Sequence, residues 1–258
     1  MAYFVQNIAN FNIYLILFFF LLLFLIERLA FAQLNPLSKS SRKQRIISNI
    51  GLGCINAFMS LIIIVPLSYM AWEHSFNWRP DNIIIDILIL DIAIYIWHRL
   101  NHKIPFLWRW HRVHHLDQFL DTTSAIRFHF CEVFLSALFR APIIIFLDIN
   151  WVSVILFETL ITLCTFFHHS NIKLQKNVES FLSYFIVTPS IHWVHHHNKQ
   201  SDTDSNYAVL LSFWDRLFHT HSTTERFKNM PLGLKNRNGQ SLPDKALTRL
   251  ILNPFKRS

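Results

Sequence analysis

Histidine is the residue whose spacing in this chain could do chemistry. Between Asp91 and His115 (DIAIYIWHRLNHKIPFLWRWHRVHH), His98 and His102 form an HxxxH pair, and His111, His114 and His115 an HxxHH group. His192, His195 and His196 repeat the HxxHH form downstream. On a helix, residues four apart differ by about 40° in direction, so His98 and His102 project together. His111, His114 and His115 fall within an arc of about 100°, so each set is expected to converge on one point. Neutral imidazole suits iron, zinc, copper or nickel. Eight histidines in three motifs exceed what a single ion needs, since a structural zinc takes about four ligands. Adding His129 and either His168 or His169 supplies about ten, enough for two ions. The chain contains no HExxH, so a zinc metalloprotease would lack its general base. Cys54, Cys131 and Cys164 sit inside apolar runs away from the motifs, which argues against a zinc ribbon, an iron–sulfur cluster or a disulfide framework.

The elements that must position these side chains are apolar. Hydrophobic residues make up 52% of the 258 and charged residues only 16%, well below a soluble chain's usual share. The net charge of +8 would suit nucleic acid, but the Lys and Arg flank apolar segments, so an anionic bilayer face is the simpler partner and no nucleic acid is expected. Phe11–Ile26 reads as a retained transmembrane helix, because no basic segment precedes it and no cleavage site follows. Arg28, Lys39, Arg42, Lys43 and Arg45 after it are expected to stay cytoplasmic, which places the N-terminus outside. A second span is expected from about Ile46 to Met70, with Pro66 kinking its far end. Ile83–Trp97 starts a third, whose helix continues through His98 and His102. Phe130–Leu147 and Trp151–Phe167, joined by Asp148-Ile149-Asn150, read as a hairpin that goes out and returns or re-enters. This topology brings every motif histidine to one membrane-proximal, cytoplasmic layer. The expected fold is an all-α, multi-pass integral membrane protein of about four to five transmembrane or re-entrant helices, capped by a histidine-rich helical layer holding two metals. Residues from Asn229 onward are expected to be loosely ordered.

Paired ions held by histidine beside a membrane suggest oxygen activation on a lipid. Here the residues resemble the fatty acid hydroxylase/sterol desaturase superfamily of integral-membrane di-metal oxygenases. HRLNH, WRWHRVHH and HWVHHH are similar to its three histidine boxes, and Asp91, Tyr95 and His98 to the lead-in of the first. TSAIRFHFCE (Thr123–Glu132), His169-Ser170-Asn171, Thr188-Pro189, Asn206-Tyr207 and Trp214–Phe218 (WDRLF) resemble further family elements. The resemblance covers roughly residues 86–220. It implies a division into an N-terminal region of two spans (1–82), a catalytic domain (83–222) and a polar basic tail (223–258). It also implies a non-haem di-iron centre that uses O2 and two external electrons to hydroxylate or desaturate lipid C–H bonds. The implied ligands are His98, His102, His111, His114, His115, His129, His169, His192, His195 and His196, with His168 as the alternate to His169. Zinc is a possible substitute for iron in purified samples. Partners would be a membrane lipid, O2 and a separate electron donor, either a cytochrome b5-like protein, a ferredoxin or a reductase. His219 departs from the pattern, standing where a Gly usually precedes Thr220, so a different final turn is expected.

Spacing assigns supporting roles. Asp91, Tyr95, His98 and His102 share a helix face, so Asp91 is expected to accept a hydrogen bond from Tyr95 or a ligand histidine. Glu158, a carboxylate in an apolar run with Thr162, Thr165 and His169 at helical offsets, is either a support for the ligands or a protonated group bonded to Thr162. Asn206 and Asp215 join these from the closing signatures. Competing readings are a membrane metal transporter or sensor, whose ligands would be spread through several spans, and a non-catalytic relative, whose boxes would lack ligands.

Overall fold

The computed structural model describes residues 2–29, 42–236, 238–242 and 246–255, so Lys39, used above to orient the first span, lies outside the described residues. Helix α1 is Ala2–Ile26. Helices α2 (Arg42–Met59) and α3 (Val65–Glu73) are joined without a break by a π-helical turn, Ser60–Ile64. That turn is the local answer to Pro66, which cannot donate to an i−4 carbonyl; the Val65 N–H bonds Ser60 O, one residue further back. Helices α4 (Ile83–Lys103) and α5 (Pro105–His115) meet at Ile104, where Pro105 starts the new helix with a preset φ and no N–H to satisfy. A 3₁₀ turn, Thr122–Ile126, leads to α6 (Phe130–Phe146) and α7 (Trp151–His169). Short helices α8 (Lys176–Leu182), α9 (Pro189–His195), α10 (Gln200–Thr203), α11 (Phe213–Leu217) and α12 (Leu247–Leu252) complete the chain. Among the described residues there is no strand, only three isolated bridges.

Among the described residues two helices are long and apolar enough to cross a bilayer, Lys43–Glu73 and Trp151–His169; the apolar part of α1, Asn12–Ile26, is shorter. Their outward side chains, among them Phe18, Leu21, Phe58, Leu61 and Ile62, are more than half exposed, as expected of surfaces that lipid would cover. Inward, α4, α6 and α7 share a core of Leu90, Ile94, Trp97, Ala141, Ile144 and Phe157. At the end of the α6–α7 hairpin, Asp86 faces the interior, pairs with Arg79 and accepts from the Asn150 N–H at 3.1 Å.

Behind the histidines lies a buried polar hub. Arg45 of α2 pairs with Asp117 (3.1 Å) and with Asp121, and donates to Phe119 O at 2.9 Å. Asp121 caps the 3₁₀ turn, and Asn49 donates to Thr123 Oγ1 at 3.0 Å. Glu27, just past α1, accepts from the backbone N–H of Thr122 (3.0 Å) and of Asn171 (3.2 Å), tying the first helix to that turn and to the end of α7. Burial, and then the nearby Asp121 charge, raise the Glu27 carboxyl from its ordinary 4.5 to about 7. A raised acid stabilises the fold fully below 4.5 and loses that contribution as pH rises through about 7. Wild type is therefore expected to lose stability relative to Glu27→Gln across that window, on the order of 2 kcal/mol. Paired thermal melts in detergent measure the difference, and a pH-independent gap would refute the assignment.

The tail departs from expectation. In its described parts it is packed, not loose. Leu250 is fully buried with Leu52, Val113 and Leu116, and Leu232 bridges to His197. Gly51 lies under this contact, where a Cβ would come 2.6 Å from Leu247 Cδ2 and push that side chain aside. The apolar spacing of LTRLIL was there to read, but its polar flanks obscured it.

Candidate metal centre

The histidines gather into two buried groups. The first is His98 and His102 of α4, His111 and His115 of α5, and His195 of α9; the second is His114, His169, His192 and His196. Within each group the ligand nitrogens lie within 4.8 Å of one another. The groups abut, with the His115 and His196 rings stacked at 4.3 Å between centroids. Each HxxHH box is therefore split, contrary to the expectation that it converges on one point. His111 and His115, four apart, serve the first group, and His114 between them serves the second. In the later box His192 and His196 serve the second and His195 the first. An arc of about 100° on one helix is wide enough to face two neighbouring points.

Ring orientation is set by the nitrogen that faces away. Nδ1 of His98 donates to Tyr207 O (2.7 Å), that of His195 to Ser205 O (2.7 Å) and that of His169 to Thr165 O (2.8 Å). His111 Nδ1 donates to Glu132 Oε1 at 2.7 Å. Each such bond leaves Nε2 as a lone pair aimed inward. Nε2 of His169 lies 3.0 Å from that of His114 and 3.0 Å from that of His192. The Nε2 atoms of His102 and His195 are buried with no hydrogen-bond partner. Opposed lone pairs and orphaned acceptors are costly unless a cation sits among them, so the donor set fits two metal ions. Burial, then neighbouring histidines, push His114, His115, His192 and His196 well below their ordinary 6.5, and burial takes His195 down to about 3. These rings are neutral at physiological pH, the state a metal ligand requires.

A cavity of about 420 Å³ opens onto both groups, reaching His98, His111, His114, His169 and His192. Its walls are mainly apolar, from Ile94, Trp97, Val133, Ile161 and Phe166. Asn101, buried between the two α4 ligands and without a hydrogen-bond partner on either amide atom, also faces it.

The fatty acid hydroxylase family profile matches residues 83–220, more than half of the chain. The chain belongs to the fatty acid hydroxylase family. Alkylglycerol monooxygenase of Danio rerio is 30% identical over 151 residues, 58% of this chain and 32% of that protein. Ornithine lipid hydroxylase of Rhizobium tropici is 27% identical over 62% of this chain and 49% of its own length. A cholesterol 25-hydroxylase-like protein of Danio rerio is 25% identical over 64% and 69%. The chain thus spans about a third of the alkylglycerol monooxygenases it matches, and no solved structure matches it.

The family's closing signatures hold the first group from behind. Asp215 accepts from the backbone N–H of Tyr207 (2.8 Å) and Ala208 (2.9 Å) and from Thr220 Oγ1 (2.7 Å), fixing the segment whose Tyr207 carbonyl orients His98. Asn206, at φ 51°, donates to Ile191 O at 3.0 Å and accepts from the Ser222 N–H at 2.9 Å, which locks that segment to α9. His219 adopts φ 54°, the left-handed conformation that a glycine takes freely.

Other expected supports go elsewhere. Asp91 accepts from Trp214 Nε1 (2.7 Å) and the Leu211 N–H (3.2 Å), not from Tyr95 or a ligand; Tyr95 OH instead pairs with Thr220 Oγ1 at 2.9 Å. Thr162 bonds the Glu158 backbone carbonyl, while the Glu158 carboxylate pairs with Arg140 across the hairpin. Glu132 is the support that residue spacing alone did not single out, although it closes the quoted TSAIRFHFCE element. His168 belongs to neither group; its ring lies 4.0 Å from that of His192 and lines the cavity. His129 is also apart. It caps α6, accepting from the Cys131 N–H (3.1 Å), and its Nε2 donates to Ile251 O (3.1 Å), so both nitrogens are engaged. His129→Ala is expected to keep the wild-type metal content while losing about 1–2 kcal/mol of stability. Metal analysis alongside a melt tests this, and loss of metal from a folded variant would restore His129 as a ligand.

Proposed function

We propose that this chain is a multi-pass membrane lipid hydroxylase whose two histidine groups hold two iron ions. The observation that carries the reading is the junction of the two groups with a mainly apolar cavity: five of their nine buried imidazoles, from both groups, line a space of about 420 Å³. Family membership, and relatives named for lipid hydroxylation and monooxygenation, support hydroxylation over desaturation. His98, His102, His111, His115 and His195 would hold one ion, and His114, His169, His192 and His196 the other. Bound iron supplies O2 activation, with two electrons from a separate donor protein.

The chain's own residues do the rest. Tyr207 O, Ser205 O, Thr165 O and Glu132 hold the Nδ1 protons of four ligands and so fix which nitrogen faces inward. Ile94, Trp97, Val133 and Phe166 exclude water and lay an alkyl segment against the histidine layer. By the charge bias of Arg28, Arg42, Lys43 and Arg45 that layer would lie on the cytoplasmic side, with about four to five helices in or across the bilayer. A transporter would spread its ligands along a path, whereas these rings touch in one layer.

The test is metal content of anaerobically purified protein, followed by O2, a reductant and a panel of lipids with product analysis. About two irons per chain and an O2-dependent hydroxylated product are expected, in keeping with the two donor sets. One ion or none would overturn the di-iron centre, and an intact centre without any oxidised lipid would overturn the activity.

A further inference from the structure

At the end of the cavity away from the histidines stands an ion pair between α6 and α7. Arg140 Nη2 of α6 lies 2.9 Å from Glu158 Oε1 of α7, and Arg140 Nη1 donates to Ser136 Oγ at 2.8 Å. Both charged residues line the cavity with Ser136. Arg140 is only 8% exposed, whereas the Glu158 side chain keeps 44% of its surface open. Eleven residues of α7 separate Glu158 from His169, about 16 Å of helix, and eight of α6 separate Arg140 from Glu132, about 12 Å. The other polar side chains of the lining include Asn101, Asn56, which donates to Phe128 O at 2.9 Å, and Glu132, which is held by His111. Thr162 and Thr165 donate their hydroxyls back to the carbonyls of Glu158 and Ile161.

Fold stability does not explain the pair. A charged pair at this depth is expensive, and apolar residues of similar size would pack the hairpin at least as well. The pair is also electrically neutral as a unit. A carboxylate or phosphate arriving there would face the Glu158 oxygens, and an ammonium would face the Arg140 guanidinium. A hydroxyl meets both halves, donating to the open side of Glu158 while accepting from Arg140.

We propose that Arg140 and Glu158 form the recognition site for the neutral hydroxyl end of a long-chain lipid, held about 12–16 Å along the helices from the histidine layer. The proposal rests on the reading that the cavity takes the lipid to be oxidised. Its consequence is positional: the carbon that reaches the metal centre is remote from the hydroxyl, and the distance is set by the hairpin.

Trp97 lines the same cavity next to His98, so its fluorescence reports a bromine carried at the far end of a bound chain. The probes are ω-bromododecanol, bromododecane and ω-bromododecanoic acid, titrated into metal-free full-length protein, with Trp97→Phe isolating the relevant signal. Wild type is expected to bind the alcohol about tenfold or more tightly than the alkane, the worth of a hydrogen bond to a charged group. Arg140→Met/Glu158→Leu should lose that preference while binding bromododecane as well as before. Glu158→Gln, which keeps the hairpin hydrogen-bonded if the double variant does not fold, should raise acid binding relative to alcohol by removing the opposing charge. Equal midpoints for alcohol and alkane in wild type, or an equal loss for all probes in the variants, would overturn the proposal. So would a wild-type preference for the acid. The assay requires neither metal nor turnover, so a failed oxidation assay leaves it standing, and equal midpoints in an active enzyme sink it alone.

Discussion

Alanine at both His98 and His102 is expected to strip one ion and leave the other, taking metal content from about two per chain to about one. Alanine at both His192 and His196 should do the same to the second site. The reason is the partition of the donors, since each of these pairs serves a single group. His114→Ala/His195→Ala is the informative contrast. It takes the inner histidine from each HxxHH box, hence one ligand from each group, and should weaken both ions without emptying one selectively. All three variants should lose lipid oxidation by more than the roughly 10–100-fold that an outer hydrogen bond is worth. Metal analysis with site-resolved spectroscopy reads the pattern. If His114→Ala/His195→Ala lost one site cleanly, or His98→Ala/His102→Ala lost none, the crossed arrangement would be wrong.

Arg45→Met carries the largest expected effect on stability. The guanidinium sits between Asp117 and Asp121, both fully buried, with no solvent to screen them. Removing it takes the nearest cation from two buried carboxylates, leaving only Arg127 at 4.0 Å from Asp117 and Arg28 at 3.9 Å from Asp121, a change that costs about 3–5 kcal/mol. The arginines, chiefly Arg45 and then Arg127, hold the Asp117 carboxyl below its ordinary range against the opposing pull of burial, so loss of Arg45 would let burial push it up. Unfolding in detergent should show the loss, together with partial recovery as pH falls and the carboxyls protonate. A variant as stable as wild type would mean that the hub is incidental. Asp117→Asn in the Arg45→Met background should restore part of the loss, which a general packing defect would not allow.

What the sequence made legible was local. Imidazoles at i, i+3 and i+4 announce themselves because helical geometry acts over a few residues, and all eight histidines of the three boxes enter the two groups. Partners across the fold were not legible. Asp91 looked along its own helix for a hydrogen-bond donor, but Trp214 and Leu211, more than a hundred positions away, supply it. Glu158 was measured against Thr162 and Thr165 on α7, whereas its counter-ion is on α6, one hairpin away. His129 shared the residue type of the ligands but not their facing direction, which its cap on α6 fixes. The split of each HxxHH box lay within the angular arithmetic, yet that arithmetic cannot say whether an arc meets one point or two.

The contact between α12 and α2 has a consequence for how the protein is made. Leu250 meets Leu52 across almost two hundred positions of chain, and the carbonyl of Ile251 takes the Nε2 proton of His129. During synthesis α2 is in place long before α12 leaves the ribosome. Until then Leu52, Val113 and Leu116 lack Leu250, the fourth buried member of their cluster. The packing of α12 on this side of the histidine layer is thus added only after every histidine motif has been made.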